Sequence, residues 1–532
     1  MAADHQHDGH ERTAHGCSCC GPSARRVLRD AEIRAWLSRR ELLVGAGVAA
    51  VGTMAAANRA ARAAEAEPAA SPAVAPANEL VVQPVLTYGL PQRRHQTSWR
   101  PWGGIQTAGH AAEEVARIDR ELRELVANTG LAVRVLPVAK VLSREEAARV
   151  GETKCDLMLI YAAGGGRDTL ETLASGRHWS IFFLRHRSGP VSLYYEILHP
   201  HFLRKATDKY GQPGVDVWDA VVDDYAELAW RLRALTALRR TLGQRIIAIG
   251  GAGGWGAGHE LAPPIAKEKW QLDIRDVSYP DLGKRIESLW KDAAAVEKVR
   301  RDAEAYLRQP NVKLETDRKY VENAFVLYRA FKDLMTEADA RAMTIQHCMG
   351  TVMPISETTA CLPLSLLNDE GYLAFCESDF VVIPAGMLMA NITGTPVFLN
   401  DPTWPYAGKV TIAHCTAPRR MDGRNLEPVT LYTHFESDYG AAPKVDWRVG
   451  QVLTNVVPDF GSVKWVGFKG KVLDNPLLDI CRSQQDISIE GNWQRLLENM
   501  RGFHWMTAYG DCRKEIGYAI KRLNIAWEDI SA

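Results

Sequence analysis

The chain has 532 residues, 46% of them apolar and 24% charged, with 64 basic and 64 acidic side chains. That length exceeds one ordinary domain and suggests roughly three units with cores of their own. The even charge balance excludes a general phosphate-backbone binder. Apolar and aromatic residues running throughout exclude disorder over most of the chain. An enzyme or a small-molecule binder is what this leaves.

The first 78 residues read as addressing rather than fold. Arg39-Arg40 precede the small-residue apolar run Leu42–Ala57, and Ala61-Arg62-Ala63 and Ala64-Glu65-Ala66 offer small-x-small cleavage sites. A paired arginine before a short, mildly apolar segment is the pattern of a twin-arginine export signal, with an exported, periplasmic protein as its consequence and a cytoplasmic one if the leader does not function. At 16 residues the run is shorter than the ~20 that span a bilayer. Ahead of the arginines, His5, His7, His10, His15, Cys17, Cys19 and Cys20 form a metal-attracting tail whose spacing matches no tetrahedral site. Pro68–Asn78 is an Ala/Pro linker, so the ordered body is expected from Glu79. Its seven cysteines, an odd number in apolar contexts, do not read as a disulfide framework.

From Glu79 onward, β-branched runs alternate with helical stretches. Strands are expected at 80–86, 131–138, 156–161 and 179–184, with a helix at 111–128 and a long one at 219–242. A buried strand at 245–250 opens the glycine-rich turn Gly250–Gly258, either a nucleotide fingerprint or, lacking an acidic residue to close the next strand, a substrate-proximal turn or domain edge. Charged helices follow at 280–307 and 317–337, and strands at 397–399, 410–413, 429–434, 451–457 and 463–468. The fold class is therefore α/β: two Rossmann-like α/β domains, 79–243 and 244–395, then a mainly antiparallel, barrel-like β domain, 396–532.

Chemistry concentrates between Thr344 and Arg420. Glu377 and Asp379 end the apolar strand Tyr372–Phe375, Asn400 and Asp401 end the next, and His414 ends the one after. Carboxyl ends of strands are where open α/β sheets build sites, and carboxylates with imidazoles suit Mn²⁺, Mg²⁺ or Zn²⁺. Singly, Glu377 also reads as a helix-start acid, Asp401 as an Asx turn and His414 as a core histidine. Cys361, Cys376 and Cys415 read as packing residues rather than nucleophiles. Trp255, Trp404 and Trp505 lie near these motifs, where they either stack on a sugar or pack.

The run Thr359-Ala360-Cys361, Ser365–Gly371, Cys376–Asp379, Gly394–Asp401 and His414–Pro418, with Gly250–Trp255 and Gly502–Trp505, resembles the L-fucose isomerase and L-arabinose isomerase superfamily. The resemblance is close over 344–420 and loose over the rest of 80–530. It implies two α/β domains and a C-terminal β domain, a homo-oligomer with sites at subunit contacts, and Mn²⁺-dependent interconversion of an aldose and a ketose. It further implies Glu377, Asp379, His414 and His504 as metal ligands. The residues themselves offer Glu377 or Asp401 as the base that moves the proton, and Asn400, Thr359, Trp255 and Trp505 as sugar contacts. The chain departs from the pattern twice. Asn400 stands where arabinose isomerases carry a second glutamate, and Thr359 where fucose isomerases carry theirs, with Glu357 two positions away.

An asparagine cannot take a proton at neutral pH. Three readings are therefore carried forward: an aldose–ketose isomerase, a metal-dependent epimerase or lyase acting on a sugar acid, and an exported sugar-binding protein without catalysis.

Overall fold

The computed structural model describes residues 79–100, 103–190 and 215–532. The arginine pair, the His/Cys tail and the linker lie outside the described residues. Among those described, no helix is long and apolar enough to cross a membrane.

The first sheet is built from β1 (Leu80–Thr87), β2 (Val133–Val135), β3 (Ala139–Val141), β4 (Leu157–Ala162), β5 (Trp179–Leu184) and β6 (Ala220–Val222). All pairs are parallel, in the order β2-β1-β4-β5-β6, with β3 continuing beside β1. Alternation along the strands divides the core in two. Leu159, Tyr161, Ile181 and Phe183 share one cluster with Ile118 and Leu122 of helix Ala108–Thr129 and with Leu228 and Leu235 of helix Tyr225–Thr241. Met158, Ile160, Phe182 and Leu184 cluster with Ala147, Leu170 and Leu173 from two short helices. Burial of both faces is why these strands read as unbroken apolar runs.

A second parallel sheet uses β7 (Arg245–Ile249) and β8 (Asp273–Val277). After β9 (Val312–Leu314), which pairs elsewhere, it adds β10 (Ala342–Ile345) and β11 (Leu373–Cys376). Its order, β11-β10-β7-β8, reverses direction between β7 and β10. Such a reversal opens a crevice at the carboxyl edge, where ligands bind in open parallel sheets.

The rest of the chain is mostly antiparallel: β12 (Phe398–Pro402), β13 (Lys409–His414), β14 (Val429–His434), β15 (Tyr439–Val445), β16 (Val452–Val457), β17 (Lys464–Asp474), β18 (Ser483–Ser488), β19 (Trp505–Tyr509) and β20 (Ala526–Asp529). The path β16-β19-β12-β13-β18-β17 closes on itself because β17 also pairs with β16. Closure removes the sheet edges. β20 lies parallel beside β17, and β15-β14-β9 form a small separate sheet.

The architecture is thus mixed α/β with parallel sheets and a C-terminal closed antiparallel barrel. Helix Ile383–Thr393 ties these parts together: it is buried on all sides, against helix Tyr225–Thr241, β11 and β19. The described residues belong to one compact unit, Ser71–Ala532.

Three local expectations change. The stretch 219–242 begins with β6 rather than helix, because Asp224 caps a later start by accepting from the amides of Ala226 and Glu227. The stretch 280–307 is two helices, Tyr279–Lys291 and Ala293–Leu307, divided at Asp292, which caps the second. Strands β8, β15, β18, β19 and β20 carry too many polar or small residues for their alternation to stand out.

Candidate metal centre

The carboxyl end of β11 delivers Glu377, and the two residues after the strand are unusual. Glu377 has φ 64° and Ser378 φ 47°, the left-handed region where a side chain costs about 1–2 kcal/mol per residue. This turn is clamped by the glycine-rich turn after β7. The Gly253 amide donates to the Ser378 carbonyl at 3.2 Å, and the Phe380 amide to the Gly253 carbonyl at 3.1 Å. Glycine is required for that approach. A Cβ on Gly254 would stand 2.7 Å from the Gly258 carbonyl oxygen and 3.1 Å from Asp379 Oδ1. The turn is therefore a structural neighbour of the cluster, and it carries Trp255, whose indole Nε1 donates to Glu377 Oε2 at 2.6 Å.

Two barrel strands and one loop supply the other groups. Asp401 lies on β12, His414 ends β13, and His504 immediately precedes β19. His414 Nε2 is 3.5 Å from Glu377 Oε1, and His504 Nε2 is 3.4 Å from Glu377 Oε2 and 3.3 Å from Asp401 Oδ1. Three of these atoms, Asp401 Oδ1, His414 Nε2 and His504 Nε2, are buried without a hydrogen-bond partner. Donors about 2.1 Å from a common ion stand roughly 3.0–3.4 Å apart in octahedral or tetrahedral arrangements. The observed separations match the edges of such a polyhedron better than they match hydrogen bonds. Glu377, Asp401, His414 and His504 therefore fit a divalent cation.

The groups behind the histidines fit as well. Asp379, fully buried, faces His504 Nδ1 through Oδ2 at 2.7 Å, while its Oδ1 accepts from the Val381 amide at 3.1 Å. A carboxylate only accepts, so the imidazole proton sits on Nδ1 and the Nε2 lone pair is aimed at the cluster. Thr416 Oγ1, 3.1 Å from His414 Nδ1, holds the second ring by the same nitrogen, with either atom able to donate. Asp379, expected as a ligand, thus stands one shell further out.

Electrostatics express the same crowding. Burial works against charge on Glu377, but the two imidazoles outweigh it and hold the carboxyl far below its usual range. At Asp401 burial prevails, helped by Glu377 and Asp379 and opposed by the histidines, and its carboxyl is raised. Burial depresses both imidazoles, yet the surrounding carboxylates lift His414 to about 10 and His504 to about 9. Without a cation, protons on the two imidazoles balance the carboxylates; a bound cation would take over that role by displacing them.

Other expected residues fall elsewhere. Asn400 points away from the cluster, since neighbours on a strand face opposite sides. Its Nδ2 donates to the Phe398 carbonyl and to Thr507 Oγ1. Thr359 Oγ1 both donates to and accepts from the Ala441 backbone, fastening its loop to β15. Trp505 is buried edge-on against Phe468, while Trp404 is exposed. Trp255 does lie at the site, stacked on Phe503 with ring centroids 4.4 Å apart and both rings nearly half exposed. Phe503 and Thr416 lie within the motifs Gly502–Trp505 and His414–Pro418 that carry the resemblance, but the sequence assigns neither a role.

No family model and no curated protein matches the chain.

Proposed function

We propose that the chain is a metal-dependent, sugar-active enzyme, an aldose–ketose isomerase, with Mn²⁺ as its cofactor. One observation carries this reading: two carboxylates and two imidazoles from four chain segments meet, with three of their buried polar atoms unpartnered. Glu377, Asp401, His414 and His504 would hold the cation. Bound there, it would stabilise negative charge on two neighbouring oxygens of a hydroxy-carbonyl substrate.

The protein's own groups divide the remaining work. Glu377, kept ionised by both imidazoles, stays a fixed negative charge. Asp401 turns Oδ1 inward while 32% of its side chain is open to the outside. Its second carboxylate oxygen is the group that would take a proton from one substrate carbon and return it to the next. The Trp255–Phe503 pair offers an apolar face to the C–H surface of a sugar ring.

The finer reading of each parallel sheet as a Rossmann-like domain belongs to this proposal, supported by the reversals in strand order. So do assembly into a homo-oligomer and export through the twin-arginine machinery.

The test is proton exchange at C1 and C2. Pentoses, hexoses and their ketoses are incubated with Mn²⁺-loaded protein in D₂O and followed by ¹H NMR. Ketose formed from an aldose with deuterium at C1, or aldose formed from a ketose with deuterium at C2, supports the isomerase. Sugar binding without exchange would overturn it in favour of a binding protein, and conversion of a sugar acid instead would favour the epimerase or lyase.

A further inference from the structure

Immediately behind His414 lies a second set of ligating side chains that the chemistry above does not use. Cys361 opens helix Cys361–Asp369, Cys415 follows β13, His434 ends β14, and Cys481 precedes β18. Ligand atoms of Cys361, Cys415 and His434 all lie within 4.8 Å of one another. Cys481 packs against the same cluster. Cys361, Cys415 and His434 are each at least 95% buried.

We infer that Cys361, Cys415, Cys481 and His434 form a closed, thiolate-rich site for a soft divalent ion of the Zn²⁺ class, distinct from the carboxylate–imidazole centre. Three observations converge on it. The set is three sulfurs and one imidazole, the composition of structural tetrahedral zinc sites. His434 Nδ1 is buried with no hydrogen-bond partner, an orphan that a metal bond satisfies. The Arg482 amide donates to Cys415 Sγ at 3.3 Å, so that sulfur already serves as an acceptor, as a metal-bound sulfur does.

A tetrahedron with ~2.3 Å metal–sulfur and ~2.0 Å metal–nitrogen bonds places neighbouring donors roughly 3.5–3.8 Å apart. For Cys361, Cys415 and His434, closing the spacing of at most 4.8 Å to that takes about an ångström of side-chain movement, and Cys481, packed against them, would turn in as the fourth donor. A disulfide accounts for less. Cys415 can pair with Cys361 or with Cys481 but not both, which leaves one thiol and His434 unused.

The four donors come from four separate segments, so an ion there would cross-link β13, β14, the helix opening at Cys361 and the loop before β18. Because His414 and Cys415 are adjacent, the same ion would brace His414 from behind. The site is structural, and its four positions leave none open for substrate.

Cobalt reports such a site without reference to activity. The full chain, carrying Cys17→Ser, Cys19→Ser and Cys20→Ser so that leader thiols do not contribute, is stripped of metal under reducing conditions and titrated with Co²⁺. Expected is a near-ultraviolet thiolate-to-cobalt band with tetrahedral visible bands, saturating at one equivalent and displaced by Zn²⁺. Cys481→Ser, at the most accessible ligand, should remove about a third of the charge-transfer intensity, one thiolate of three. His434→Ala should alter the visible bands, and Glu377→Ala should leave the whole signature intact.

Three results would overturn the proposal. One is absence of the thiolate band in protein whose circular dichroism shows it folded. Another is a Cys361–Cys415 or Cys415–Cys481 disulfide as the main form in non-reducing peptide mapping. The third is loss of the band in Glu377→Ala, which would assign the thiolates to the first centre.

Discussion

Replacing Asp379 by Asn separates a residue that binds the cation from one that aims a ligand at it. In the native protein Oδ2 accepts from His504 Nδ1 and Oδ1 from the Val381 amide. An asparagine has one acceptor oxygen for these two donors, so one bond becomes a donor–donor contact in a fully buried place. The orphaned group costs about 1–3 kcal/mol of stability. His504 also loses the negative charge that fixes its tautomer, and the loss of such a support typically weakens metal binding about 10–100-fold. That corresponds to about 1.4–2.7 kcal/mol of binding free energy. Calorimetric titration of Mn²⁺ into wild type, Asp379→Asn and His504→Ala measures it. The expected order is tight, 10–100-fold weaker, and absent. Wild-type affinity in Asp379→Asn would refute the positioning role, and complete loss equal to His504→Ala would make Asp379 a direct ligand.

Trp255→Phe keeps the stack on Phe503 but removes the donor to Glu377 Oε2, and should lower turnover several-fold with the fold intact, read by kinetics and near-ultraviolet circular dichroism. Gly254→Ala forces a Cβ against the Gly258 carbonyl and Asp379, and should weaken Mn²⁺ binding by about tenfold in the same titration. Asp369, half-buried, tests the pH dependence of stability. Burial raises its carboxyl from the ordinary 3.8 to about 7, against the Arg419 and Arg420 amides that donate to Oδ1. Because the folded value is the higher one, the folded state holds the proton more tightly. Its contribution is fully present below about pH 4 and lost as pH rises through about 7. Asp369→Asn keeps an acceptor for both amides and should flatten that decline in denaturation midpoints measured between pH 4 and 7. Removing the cation with a chelator should lower the thermal midpoint, since an ion at 100 times its Kd adds about 2.7 kcal/mol, and Mn²⁺ should restore it.

How much of this was legible in the sequence follows from where the signal lies. Strands buried on both faces, such as β4 and β7, announce themselves as apolar runs, and helix Ala108–Thr129 shows its period. β18, Ser-Gln-Gln-Asp-Ile-Ser, does not, because its polar side chains are satisfied inside the fold: Gln485 donates to the Val445 carbonyl and Ser483 to that of Pro443. In the site, acids and imidazoles at strand ends were visible as types. Which of them face one another was not, because that depends on strand parity and on two left-handed residues. Asn400 and Asp401 illustrate parity, since the residue at the expected position turns away while its neighbour turns in. Asp379 illustrates the turn: two residues with positive φ carry it behind His504. The cysteines read as packing when taken singly, and only the tertiary fold brings Cys361, Cys415 and His434 together with Cys481 packed against them.

The central claim is that strand-end carboxylates and imidazoles hold a divalent cation. Mn²⁺ binding to the purified chain, counted by electron paramagnetic resonance in wild type, Glu377→Ala and His414→Ala, tests it most directly. The structure predicts one hard-ion equivalent in wild type and none in either variant, with all three proteins folded. Equal Mn²⁺ binding in the three, or none in wild type at millimolar Mn²⁺, would contradict the account and remove the basis for the isomerase proposal.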